Sequence, residues 1–180
     1  MTELPAASRP PVTVTRRLAS ANRILAVTHM NPDGDAVGSL VALGHVASKI
    51  GVDVRLYCET PIPAHLGWLN NPAPIIENLA SLGDWKPDCV VFLDCADEHR
   101  AGEEMAWFIE DCRRKGALCG GETICIDHHM GNPDFADINW VDPTMSATGL
   151  MVALIAKELW LALSGDRGES VYRRFLIHIS

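Results

Sequence analysis

Apolar residues in this chain gather in short continuous runs separated by stretches of helical period. Ile24-Leu25-Ala26-Val27-Thr28 is apolar, partly β-branched and too short for a helix, so it reads as a buried strand. From Asp35 to Ile50 the apolar positions Val37, Leu40, Val41, Leu43 and Val46 recur at helical spacing, with Gly51 as a stop signal. Val52 to Tyr57 is a second strand. The connection that follows carries Pro61, Pro63, Pro72 and Pro74, which excludes long regular structure and leaves room for a helical turn at His65 to Leu69. Cys89 to Leu93 predicts a third strand, Glu103 to Lys115 a helix and Thr123 to Ile126 a fourth strand. Met145 to Leu163 predicts a last long helix, and Val171 to Ile179 opens a further apolar segment. A short polar helix is expected around Thr15 to Asn22, and residues 1–14, with three prolines, as a flexible tail that is neither signal peptide nor membrane anchor. Strand alternating with helix predicts an α/β fold, a parallel doubly wound sheet with helices on both faces, whose ligands bind beyond the carboxyl ends of the strands.

Three of those strand ends carry chemistry. The first runs into His29-Met30-Asn31-Pro32-Asp33-Gly34-Asp35, one imidazole and two carboxylates around a stiff proline and a permissive glycine. Asp33 alone would read as a helix cap and His29 as an ordinary loop histidine. Together they favour a metal. The third strand ends in Asp94, a carboxylate at the end of an apolar run, where two cations would compensate its burial and make it a shared ligand. Asp97 reads as a cap or a solvated group. The fourth strand ends in Asp127-His128-His129, followed by Asn132. Adjacent histidines project in different directions, so one is assigned to metal and the other to substrate.

Composition narrows the ligands. The chain of 180 residues is 48% apolar and 21% charged, within the range of one ordinary globular domain, and its net charge of −8 provides no broad basic field for long duplex nucleic acid. A short ligand is expected. Six cysteines without a CxxC pair read as free thiols, Cys89, Cys95 and Cys125 within apolar runs, which places the protein in a reducing cytoplasm and away from membranes.

HMNPDGDAVGS, VVFLDCAD and IDHHMGN, in this order and spacing, resemble the first three motifs of the DHH phosphoesterases, over residues 15 to about 163. With its proline-flanked His65-Leu66-Gly67-Trp68-Leu69, the chain is most similar to the RecJ-like nanoRNase/pAp phosphatase subgroup. The resemblance implies two divalent metals, manganese before magnesium, with cobalt and zinc also compatible with mixed imidazole and carboxylate donors. It implies His29, Asp33 and Asp94 on one ion, and Asp35, Asp94 and His128 on the other. Asp127 would orient the site, and His129 would contact the scissile phosphate or protonate its leaving group, with Asp94 central to catalysis as the bridge. The implied activity is hydrolysis of short single-stranded oligoribonucleotides or of 3′-phosphoadenosine 5′-phosphate by a hydroxide activated between the metals. Cyclic-dinucleotide, pyrophosphate or polyphosphate hydrolysis, and an inactive nucleotide- or metal-binding module, are the alternatives, and a homodimer is left open. Arg100 is a further candidate for a phosphate contact, and Asp142, within a stretch shared with the family, reads as structural. The family's fourth-motif aspartate and its C-terminal substrate-binding domain are missing: Phe175 to Ser180 resembles the strand leading to that motif. Residues 15–180 are therefore expected to be a catalytic domain truncated before its fourth motif.

Overall fold

A computed structural model describes residues 9–115 and 122–164. Its six strands are β1 (Arg23–Thr28), β2 (Asp53–Tyr57), β3 (Ile75–Ile76), β4 (Cys89–Leu93), β5 (Glu122–Asp127) and β6 (Ile138–Val141). They form one sheet in the order β3-β2-β1-β4-β5-β6, every pair parallel. The order runs outward from β1 in both directions, so the crossovers change sides between β1 and β4 and leave a crevice beyond their carboxyl ends.

The helices are α1 (Val12–Ser20), α2 (Gly34–Lys49), α3 (Glu103–Lys115) and α4 (Thr148–Ser164). Period-2 alternation divides the strand side chains between two cores. Ile24, Ala26, Val91, Leu93, Ile124 and Ile126 pack under α1, α2 and α4. Leu25, Val27, Val90 and Phe92 pack on the opposite face under Met105 and Ile109 of α3. Both faces are thus covered, which is why β4 is buried at every residue and reads as an unbroken apolar run. No helix among the described residues is long and apolar enough to cross a membrane.

Several expected boundaries move. Helix α1 begins at Val12, inside the stretch expected as tail, because Val14 packs into the core with no exposed surface and Pro11 occupies the N-cap. Helix α4 begins at Thr148 instead of Met145, because the backbone N–H of Met145 donates to the Asp142 carbonyl and the Asp142 carboxylate takes the backbone N–H and hydroxyl of Thr144. That turn occupies the expected first helical residues and gives Asp142 its structural role. Strands β3 and β6 are additions at the two sheet edges. Cys58, Cys89, Cys95 and Cys125 are free and buried, and Cys112 is buried. Cys119 and the apolar segment Val171 to Ile179, with the strand expected from Phe175, lie outside the described residues.

Candidate metal centre

The crevice receives side chains from the ends of β1, β4 and β5 and from the first turns of α2 and α4. His29 follows β1 and is buried, and its Nδ1 lies 2.8 Å from the Met30 carbonyl. A carbonyl only accepts, so Nδ1 carries the proton and Nε2 presents a lone pair. That lone pair faces Asp94 Oδ2 at 3.8 Å. His128 repeats the arrangement: Nδ1 donates to the Met145 carbonyl at 3.2 Å, and Nε2 faces Asp35 Oδ2 at 3.5 Å and Asp94 Oδ1 at 3.6 Å. In this tautomer, lone pair meets carboxylate oxygen with no proton between them, which is repulsive unless a cation lies among them. Two ligand atoms about 2.1 Å from one ion lie roughly 3 to 4 Å apart, so these separations fit a divalent cation and exceed hydrogen bonds.

Asp94 is the hub. It is 2% exposed and adopts φ +60, a left-handed backbone that aspartate tolerates better than most residues and that turns its carboxylate off the end of β4. Burial and the neighbouring Asp35 carboxylate push its carboxyl up, partly opposed by a hydrogen bond from the Thr148 hydroxyl. A carboxylate so short of positive charge is the donor a cation would complete. Two clusters meet on it: His29, Asp33 and Asp94, and Asp94, His128 and His129.

The aspartates of α2 have double duties. Asp33 is the N-cap of α2, its Oδ1 accepting from the backbone N–H of Asp35 and Ala36 at 3.0 Å each, which leaves Oδ2 for the cluster. Both the cap reading and the cluster reading of that residue therefore hold geometrically. Asp35 accepts from the backbone N–H of Thr148 at 2.7 Å and of Gly149 at 2.8 Å, so it closes the N-terminus of α4 while facing His128.

His129 differs from the other two imidazoles. Its Nδ1 is 2.7 Å from Oδ1 of fully buried Asp127, and that hydrogen bond holds the imidazole pKa up against the effect of burial. Asn132 donates to the other Asp127 oxygen at 2.8 Å and to the Cys95 carbonyl, fixing the carboxylate. With Nδ1 committed to Asp127, His129 keeps only Nε2 for other work, and its side chain is 43% exposed. The His128 and His129 rings lie 4.8 Å apart and tilted by 51°. Asp97 caps the following turn, accepting from the backbone N–H of His99 and Arg100, and exposed Arg100 gives its carbonyl to the Met30 N–H beside His29.

All the residues expected at the site, His29, Asp33, Asp35, Asp94, Asp127, His128 and His129, stand at this one edge of the sheet. The local sequence did not reveal the contribution of Thr148, Gly149 and the Met145 carbonyl. A hydroxyl at the head of an apolar helix gives an N-cap signal, but the acceptor of the Thr148 hydroxyl lies 54 residues away, and that of its backbone N–H 113 residues away.

Comparison with known proteins bears on the family and the fold. The profile of the DHH family, N-terminal domain, matches residues 23–174. The bifunctional oligoribonuclease and PAP phosphatase NrnA of Thermus thermophilus is 30% identical over 129 residues, covering 72% of this chain and 35% of that protein. Its probable counterpart in Streptococcus mutans is 26% identical over 168 residues, covering 91% of this chain and 48% of that protein. The chain thus spans a third to a half of the length of these relatives. Among solved structures, an exopolyphosphatase-related protein from Bacteroides fragilis shares the fold with a TM-score of 0.63 at 21% identity, covering 93% of this chain and 54% of the other. RecJ from Thermus thermophilus in complex with Mn2+ gives a TM-score of 0.51 at 17% identity, covering 90% and 22%.

Proposed function

Because the chain belongs to the DHH family, whose N-terminal domain it matches over residues 23–174, we propose that it is a divalent-metal-dependent phosphoesterase acting on short oligoribonucleotides or 3′-phosphoadenosine 5′-phosphate. The observation that carries this reading is the pair of backbone carbonyls met by Nδ1 of His29 and of His128, which turns both Nε2 atoms toward opposite oxygens of one buried carboxylate. On this reading Asp33 would hold one cation with His29 and Asp94, and Asp35 would hold the other with His128 and Asp94. Manganese suits this imidazole and carboxylate set.

Two divalent cations held there would supply Lewis acidity to phosphoryl oxygens and lower the pKa of a water nucleophile. The chain's own residues do the rest. Asp94 turns Oδ2 to His29 and Oδ1 to His128, so it would serve both cations. Asp127 fixes the His129 ring, so that Nε2 of this part-exposed side chain would contact the phosphate or deliver a proton to the leaving oxygen. The substrate class is taken from the relatives named as oligoribonuclease and PAP phosphatase. The net charge of −8 also favours a short ligand over a long polyanion. The buried free thiols of Cys58, Cys89, Cys95 and Cys125 suit a reducing, cytoplasmic setting.

The test is hydrolysis of 3′-phosphoadenosine 5′-phosphate, a short RNA and a cyclic dinucleotide by the chain with manganese, beside Asp94→Ala and His129→Gln. Release of phosphate or nucleotide is expected, abolished by Asp94→Ala and slowed about 100-fold or more by His129→Gln with manganese binding retained. The same chain binding manganese without turnover would favour a binding module, a second reading motivated by its covering 35% of one relative and 48% of another.

A further inference from the structure

Resting on the two-cation reading, we propose that Thr148 is a positioning residue that sets the affinity of the His128-side metal position and leaves the His29-side position untouched. Asp94 divides its oxygens: Oδ2 faces His29, and Oδ1 faces His128. The hydroxyl of fully buried Thr148 donates to Oδ1 at 2.9 Å, so it pins the oxygen belonging to the His128 side. A threonine side chain is stiff about χ1, and its single proton serves one acceptor at a time.

The rest of the segment from Met145 to Gly149 works on that same side. The Met145 carbonyl fixes the His128 tautomer, and the backbone N–H groups of Thr148 and Gly149 hold the two oxygens of Asp35. No hydrogen bond from this segment reaches His29, Asp33 or Asp94 Oδ2 among the described residues. His29 is oriented by the neighbouring Met30 carbonyl, and Asp33 by its own cap of α2. The two halves of the centre are therefore aligned by separate devices, one built into the β1–α2 loop and the other into the start of α4. Ligands that lose such support typically lose about 10- to 100-fold in metal affinity.

The test is manganese titration of the 180-residue chain, followed by calorimetry and electron paramagnetic resonance, in the unaltered protein, Thr148→Val and Thr148→Ser. His29→Ala and His128→Ala identify which affinity belongs to which position. Thr148→Val is expected to weaken the His128-side ion roughly 10- to 100-fold, leave the other unchanged and diminish the signal of the coupled pair, while Thr148→Ser, which restores a hydroxyl, recovers most of the loss. Equal weakening at both positions would assign Thr148 a merely structural role, and undiminished binding would remove its role altogether; either result overturns the inference and leaves the two-cation reading standing. Failure of the unaltered chain to take up two ions would overturn that reading, and the inference with it.

Discussion

Every aspartate at the centre holds backbone or a neighbouring side chain with part of its carboxylate and leaves lone pairs over. Asp33 caps α2, Asp35 closes α4, and Asp127 orients His129. Asp33, read as either a cap or a ligand, is placed for both, because a carboxylate has about four acceptor sites and a cap uses one or two. Burial acts differently on the thiols. Cys89 and Cys125 are inaccessible, and desolvation pushes both up to about 12. An unfolded cysteine ionises near pH 8.5, so above that pH the native state binds more protons than the unfolded state, and stability must fall as pH rises. The expected loss is about 2 kcal/mol per thiol by pH 10, read from urea midpoints between pH 8 and 10, and smaller in Cys89→Ala than in the parent. Below about pH 7 the same groups contribute almost no slope.

Elements meet the site through turns as much as through strands. Gly102, between the turn Glu98–Ala101 and α3, has φ +105, and a Cβ there would lie 1.8 Å from Oε2 of Glu59. That glutamate accepts from the backbone N–H of Glu104 in the first turn of α3 and from the Tyr57 hydroxyl, whose pKa burial and the Glu104 carboxylate drive far up. Gly102→Ala is expected to expel Glu59 from this place and strain the backbone, lowering stability by about 1 to 3 kcal/mol in urea unfolding. An unchanged midpoint would mean that the turn relaxes freely. The central elements were legible because burial on both faces leaves an apolar run no residue can interrupt: β4 lies at the residues its pattern marks, and α3 likewise. Strand β6 was not, since an edge strand of four residues with Asn139 in it and one fully buried side chain, Trp140, has neither run nor alternation. Two-residue β3 lies in a proline-rich connection and exists only by pairing with Leu56 and Tyr57. The late start of α4 was equally hidden, because the groups that take up its first N–H donors belong to α2.

At the scale of the whole molecule, the sheet order places Asp33, Asp35, Asp94 and Asp127 at one edge of a chain whose net charge is already −8. That concentration opposes folding until something positive enters. Manganese is accordingly expected to stabilise the chain, by about 2.7 kcal/mol at a hundredfold excess over Kd, and EDTA to remove the gain. Asp94→Asn, which keeps the shape and deletes the buried charge, is expected to melt higher than the parent in EDTA and to respond little to manganese. A variant that melted lower in EDTA would mean that Asp94 is already compensated by its protein neighbours. The hydrogen bonds of Thr148 to Asp35 and Asp94 also have a consequence for biosynthesis. They join the two ends of the described fold, so the centre is a long-range structure that no early segment can assemble alone. A growing polypeptide carries His29, Asp33, Asp35 and Asp94 well before it carries His128, and the clasp closes only when the first turn of α4 has emerged and docked. On the two-cation reading, capture at the His128 side is expected only at the last stage of folding, so that a half-made chain would hold at most the ion of His29, Asp33 and Asp94.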